Sequence, residues 1–480
     1  MDDSASGEFL ENVTLNELTI GRMASLTRTL TKEDILLFAR VSGDVNPAHL
    51  DEDYARSNIF HGVIGHGMWV GGLISTVLGT ILPGPGTIYL AQDLKFKAPV
   101  RLDDRVTVDV TVKQRRDDKP IVVFDCKCTN QKGEVVVEGT ATVLAPTEKV
   151  RRPRPDLPEV EVRTHDRYYA IMQAHKNLPP VATAVVYPVK PHLIETVNTA
   201  LRESLMVPLM IGPKAEIEAA AAQAGIDIKD WALMDVGDKA NAADAAAWLA
   251  AQGKVEAIMK GDLHSETVMR AILRTSARLH TARRFSHVYV LDLPGYHKPL
   301  FVSDAIVNGE PNLDTKVDIC QNAIDLWHIL FGDKIKPKVA ILAPIERTMS
   351  KLPSTVDAAA LCTMAARGQI TGAIVDGPLA LDNALSKQVA EENGITSEVC
   401  GDADILIAPN MDSANILARR LYFLGHSDAA GVILGARVPI IVPRPTDNLR
   451  TCLFSCALAV ILADVRRKEV SPKFLSGDVL

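Results

Sequence analysis

Residues Arg105–Leu144 read RVTVDVTVKQRRDDKPIVVFDCKCTNQKGEVVVEGTATVL: three short runs that alternate apolar and polar residues, separated by Asp117-Asp118-Lys119-Pro120 and by Gln131-Lys132-Gly133. A period of two marks a strand with one dry and one wet face, and Asp, Pro and Gly between such runs mark turns. Three antiparallel strands are therefore predicted, and their dry face needs a partner. Upstream, Met68–Leu78 (MWVGGLISTVL) is apolar nearly all round and is followed by the turn Pro83-Gly84-Pro85-Gly86. A helix with so little polar face is a buried helix.

Together these segments predict an antiparallel sheet wrapped around one central helix, the hot-dog arrangement, in an α+β domain spanning residues 1–148. The next stretch, KVRRPRPDLP (Lys149–Pro158), alternates prolines with charges, so residues 149–165 are expected to be an extended linker. Beyond it, in residues 166–480, short apolar runs alternate with helical stretches: VATAVVYP, VPLMIG, WALMDV, VEAIMKG, HVYVLDLP, PKVAILAP, GAIVDG, DILIAP and AGVILGARVPIIV. Continuously apolar strands are buried on both faces, which predicts a doubly wound, mostly parallel α/β domain, with two lobes.

Bulk properties narrow the function. At 480 residues and 47% hydrophobic content the chain can bury two cores. A net charge of -7 and 5% aromatic residues offer neither a basic face nor a stacking platform, which argues against nucleic acid as a partner. Residues 1–13 are acidic and polar, unlike a secretory leader, and the longest apolar run, Cys452–Ala463, is too short for a bilayer span. A cytoplasmic protein with no membrane partner is expected. The seven cysteines show no zinc-site spacing and suit a reducing compartment.

The chemistry of the first domain concentrates in VSGDVNPAHLDEDY (Val41–Tyr54), which carries Asp44, Asn46, Pro47 and His49. Adding water across a double bond conjugated to a thioester needs a base for the water, an acid for C2 and a donor for the enolate oxygen. Asp44 and His49 can supply the first two, while Asn46-Pro47 stiffens the loop. For the third, His66-Gly67 enters the buried helix, where free N–H groups face outward and glycine admits close approach. Gly67 is the oxyanion donor on this reading, and His66 and Asn46 border the substrate. Asp51, Glu52 and Asp53 are first-turn helix acids. No metal ligand set is expected.

Three segments in order, SGDVNPAHLDEDYA, HGVIGHGMW and PGPGTIYLAQDLKFKAPV, resemble the MaoC-like (R)-specific enoyl-CoA hydratases over residues 15–145. The resemblance implies reversible hydration of 2-enoyl-CoA to (R)-3-hydroxyacyl-CoA without metal or redox cofactor, with Asp44 and His49 as the catalytic pair. A lone module leaves sheet edges open and only one shallow face for a long CoA ester. A homodimer or higher homo-oligomer is therefore expected.

The second domain carries Met259-Lys260-Gly261, Arg283-Arg284-Phe285-Ser286-His287-Val288, LFVSD (Leu300–Asp304), Asp376-Gly377-Pro378-Leu379, ADILIAPNMDSAN (Ala403–Asn415) and GVILGARVP (Gly431–Pro439). Together they resemble the phosphate acetyltransferase and butyryltransferase family from about Thr183 to Val460, which implies direct acyl transfer between CoA and phosphate, these being substrates rather than cofactors. Such chemistry needs an anion cradle. Lys260, with Gly261, Arg284, His287 and Arg444 are its expected members, while Asp304, Asp376 and Asn415 fall at predicted strand ends. At one place the chain departs from the family. Where the family presents a Ser-Arg pair shortly before an acid, this chain has Arg444-Pro445 ahead of Asp447, so the guanidinium is displaced by one residue. Ala414 likewise stands before Asn415 where the family has glycine. Two functions fit: a bifunctional hydratase and phosphate acyltransferase, or an active hydratase joined to a CoA-binding or oligomerising module that has lost transfer.

Overall fold

The computed structural model describes residues 8–116, 118–158, 160, 162, 166–274, 279 and 281–470. It divides into two units, Met1–Val162 and Arg163–Leu480.

In the first unit the predicted strands form as β4 (Arg105–Arg115), β5 (Ile121–Thr129) and β6 (Val135–Leu144). Two more strands, β2 (Met23–Thr29) and β3 (Ile88–Phe96), complete an antiparallel sheet of order β2-β4-β5-β6-β3. The alternation does what the pattern predicts: Val106, Val108, Val110 and Val112 of β4 and Val122, Phe124, Cys126 and Cys128 of β5 are all buried. They pack on α4 (Gly67–Thr80), whose Trp69, Val70, Leu73, Ile74, Val77 and Leu78 share the same core. The short helices α1 (Lys32–Ser42), α2 (Pro47–Leu50) and α3 (Glu52–Ser57) precede α4 and carry the loop with Asp44 and His49. The segment read as linker begins as a strand. β7 (Arg151–Pro153) pairs antiparallel with β1 (Phe9–Glu11), and the Arg151 guanidinium lies 4.2 Å from the Phe9 ring centroid. Main-chain pairing and a cation–π contact hold it without any apolar side chain of its own.

The second unit is built on one sheet of eleven strands. They are β8 (Val181–Val186), β9 (Met206–Gly212), β10 (Ala232–Asp235), β11 (Ala257–Lys260), β12 (Ser286–Asp292), β13 (Leu300–Ser303), β14 (Lys338–Leu342), β15 (Ile374–Leu379), β16 (Ile405–Ile407), β17 (Asp428–Leu434) and β18 (Ile440–Ile441). Every apolar run singled out above becomes a strand, and β13 joins them. The spatial order is β10-β9-β8-β11-β18-β17-β12-β13-β16-β14-β15. From β10 to β18 all neighbours are parallel, and from β13 to β15 they are parallel again. Between these blocks, β18–β17, β17–β12 and β12–β13 are antiparallel. The two parallel blocks therefore run in opposite directions, and their carboxyl ends lie on opposite edges of the sheet. Helices cover both faces, among them Leu313–Phe331 and the last helix, Leu449–Val470. Among the described residues no helix is long and apolar enough to cross a membrane.

Candidate active sites

Chain order explains how Asp44 and His49 meet. Gly43 ends α1 at a φ of 77°, turning the chain so that Asp44 begins the loop. The Asp44 carboxylate accepts the Asn46 N–H at 3.2 Å, and Asn46 Oδ1 accepts the Ala48 N–H at 3.0 Å, capping α2 with Pro47 in its first turn. His49 is thus one turn beyond its carboxylate partner. Its Nδ1 lies 2.8 Å from the Ile64 carbonyl oxygen, which requires the proton on Nδ1 and leaves Nε2 of the neutral ring as an acceptor.

His66, the cap of α4, closes the group. Its Nε2 lies 3.1 Å from the Asp44 carbonyl oxygen and its ring centroid 3.9 Å from that of His49, with Phe38 on a further side at 5.0 Å. One potential ligand or proton-carrying atom from each of Asp44, His49 and His66 falls within 4.8 Å of the other two. Burial lowers the pKa of His66 below the ordinary imidazole value, opposed in part by its bond to the Asp44 main chain, so this ring favours the neutral form. Gly67 directly follows as the first residue of α4 and is exposed, so the unbonded N–H groups of the helix start open toward the pair. A Cβ at Gly67 would come to 2.9 Å from Phe96 Cε1, so that ring walls the helix entrance. Asp51 accepts the Asp53 and Tyr54 N–H groups and caps α3, while Glu52 and Asp53 sit in its first turn beside Arg56.

In the second unit the proposed cradle residues separate into groups. Lys260 ends β11, is buried, and donates from Nζ to the carbonyls of Gly261 (3.2 Å) and Leu263 (3.1 Å). Burial lowers its pKa, while the carboxylates of Asp262 and Asp447 act to raise it. Gly261 is packed so closely that a Cβ would lie 2.4 Å from the Val186 carbonyl oxygen. Arg444 is drawn inward. Its Nε donates to Asp447 Oδ1 at 3.1 Å, its main-chain N–H to Asp447 Oδ2 at 2.9 Å, and its guanidinium carbon lies 5.2 Å from the Tyr289 ring and 5.7 Å from that of Tyr422. Arg444 and Asp447 line a cavity of about 130 Å³ with His192, Glu195, Thr196 and Cys452.

His287, expected in the anion cradle, and Asp304, expected at a strand end, are both buried. His287 is 1% exposed, and burial together with the nearby Arg444 holds its pKa down to about 3. Asp304 is also buried; its carboxylate accepts the N–H groups of His287, Ile306, Val307 and Asn308, and so orders the loop after β13. Asn415 donates from Nδ2 to the Ala305 carbonyl at 2.9 Å, tying its helix to that same loop. Asp376 lies on β15, the outermost strand, and accepts the N–H of its neighbour Gly377. Arg284 is exposed, and its main-chain N–H donates to Asp318. Lys260, Arg444 and Asp447 therefore form one neighbourhood and Asp304 and Asn415 a second, with the buried His287 between them, near Arg444 and bonded to Asp304, while Asp376 lies on the edge strand β15. The sheet reversal turns the carboxyl ends of β11 and β13 in opposite directions, which separates Lys260 from Asp304. Tyr289 and Tyr422 were missed, because an aromatic residue in a buried run carries no sequence mark that separates a guanidinium wall from ordinary core.

The folds and sites define a class: an acyl-CoA enzyme with a sheet-wrapped hydratase module fused to a two-block α/β acyltransferase module. Residues 16–130 match the family described as MaoC like domain, and residues 236–460 match the family described as phosphate acetyl/butaryl transferase. A phosphate acetyltransferase from Rhizobium meliloti is 42% identical over 302 residues, covering 63% of this chain and 95% of that protein. The chain belongs to the phosphate acetyl/butyryl transferase family and carries a MaoC-like domain ahead of it. Among solved structures, a branched-chain phosphotransacylase from Enterococcus faecalis V583 is 26% identical with a TM-score of 0.51, over 59% of this chain and 99% of that one. The (R)-hydratase PhaJ1 from Pseudomonas aeruginosa is 41% identical over 32% of this chain and 99% of its own, with a TM-score of 0.32.

Proposed function

We propose that the chain is a bifunctional enzyme that hydrates 2-enoyl-CoA to (R)-3-hydroxyacyl-CoA in its first unit and moves acyl groups between CoA and phosphate in its second. The observation that carries the hydratase half is the meeting of Asp44 and His49, whose Nδ1 is held by the Ile64 carbonyl, at the exposed start of α4. Water held between the pair gives a proton to it and its oxygen to C3. The electrons of the double bond pass to the thioester oxygen, which the Gly67 N–H holds, and the pair returns a proton to C2. The acyltransferase half is supported by membership of the family and by the basic neighbourhood of Lys260 and Arg444.

The second function, hydration alone, is favoured by one feature. The Nε of Arg444 is engaged by Asp447 and its guanidinium is flanked by two tyrosines, which leaves less of it for a phosphate. Purified chain supplied with crotonyl-CoA should remove the enoyl absorbance, and with butyryl phosphate and CoA it should form the thioester. Hydration without transfer, together with transfer created by exchanging Pro443-Arg444-Pro445 for Thr-Ser-Arg, selects the second function.

Self-association and a cytoplasmic location belong to the same proposal. The edge strand β3 leaves Ile88, Leu90 and Phe96 exposed by half or more, a surface that suits a second copy.

A further inference from the structure

We propose that Asp44, His49 and His66 form a binding site for a divalent cation of the zinc class, and that filling it shuts the hydration site. Binding rests on geometry alone; inhibition also rests on the hydratase function proposed above. A carboxylate and two imidazoles are the donor set that suits Zn²⁺, with a fourth position left to water. Among the described residues this is the one group of three or more His, Cys, Asp and Glu whose ligand atoms gather within 4.8 Å.

Two further observations point to a ligand. His66 is 3% exposed, yet its Nδ1 is buried with no hydrogen-bond partner, an arrangement that native interiors rarely leave unused. Both rings also donate their other N–H to a main-chain carbonyl: His49 Nδ1 to Ile64 and His66 Nε2 to Asp44. Such outer bonds fix the tautomer and orientation of metal-binding histidines. They leave His49 Nε2 and His66 Nδ1 as the lone pairs.

The site is not fully closed. Ligand atoms around a tetrahedral ion stand about 3.4 Å apart, so the trio must draw in and the stacked rings must shift. Asp44 is exposed and follows a left-handed glycine, which gives it freedom to move. Weaker binding than that of a rigid structural site is therefore expected. Because the ion takes the lone pair of His49 that hydration uses, the two functions exclude each other.

Calorimetric titration of metal-stripped, full-length protein with Zn²⁺ is expected to show one such site. It should weaken at least tenfold in each of Asp44→Asn, His49→Ala and His66→Ala, while any zinc held elsewhere persists in all three. Asp44→Asn changes only an exposed loop position and reads the site even if His66→Ala fails to fold. Crotonyl-CoA hydration should fall over the same Zn²⁺ range and recover with EDTA. Equal zinc binding by the wild type and Asp44→Asn, or hydration indifferent to zinc, overturns the proposal. Trio-dependent binding by a chain that hydrates nothing would instead retire the hydratase function and leave the cation site standing.

Discussion

At the scale of single residues, the proposed hydration gives Asp44 and His49 the proton work between them. Asp44→Asn and His49→Ala are each expected to slow crotonyl-CoA hydration by about 10² or more with the circular dichroism spectrum unchanged, the scale for losing an acid or base. His287 gives a stability prediction of definite sign. Its folded pKa is held near 3, against an unfolded value near 6.5, so below about 6.5 the unfolded chain binds a proton that the folded chain refuses. Stability of the second unit should therefore fall as the pH drops from about 6.5 towards 3, by about 2 kcal/mol at pH 5. His287→Met should remove that loss, and urea midpoints at pH 8 and pH 5 measure it. The closeness of Asp44 and His49 was legible in the sequence because one short loop carries both groups. Arg444 was legible as a displaced cation, but its capture by Asp447 and the two tyrosines was not, since Tyr289 and Tyr422 are distant in the chain.

At the scale of elements, β3 and β6 approach each other closely at Gly139. A Cβ at Gly139 of β6 would lie 1.9 Å from the Asp93 carbonyl oxygen of β3, and main chain cannot swing aside as a side chain does. Gly139→Ala is expected to destabilise the first unit by about 3 kcal/mol, the upper range for overpacking, read as a lowered thermal midpoint. On the far side of β3, Leu90→Lys should shift the sedimentation coefficient toward the monomer if that edge pairs with a second copy. Strands β4, β5 and β6 were plain from period-two alternation, and α4 from its all-round apolarity. β7 was not, because a Pro-Arg run has no face to bury and pairs through its main chain. β13 was marked only by the strand end expected at Asp304, being four buried residues with no alternation of their own.

At the scale of the whole molecule, the presence of a large, mostly parallel sheet in the second module was readable from its succession of short apolar runs. The reversal between its two blocks was not. An apolar run buried on both faces has no polarity of its own, so strand direction is decided only by the connections around it. A cut before Asp428 is expected to leave the second unit insoluble while the first unit still folds, checked by limited proteolysis of the truncated chain. The reason lies in the strand order: β17 and β18, near the end of the chain, sit between β11 and β12 in the middle of the sheet. During synthesis the flanking halves leave the ribosome first and must wait, their inner edges bare, until the central strands emerge. A premature stop that falls before Asp428 therefore removes the keystone rather than a fringe, and the nascent halves become clients for chaperones or proteases.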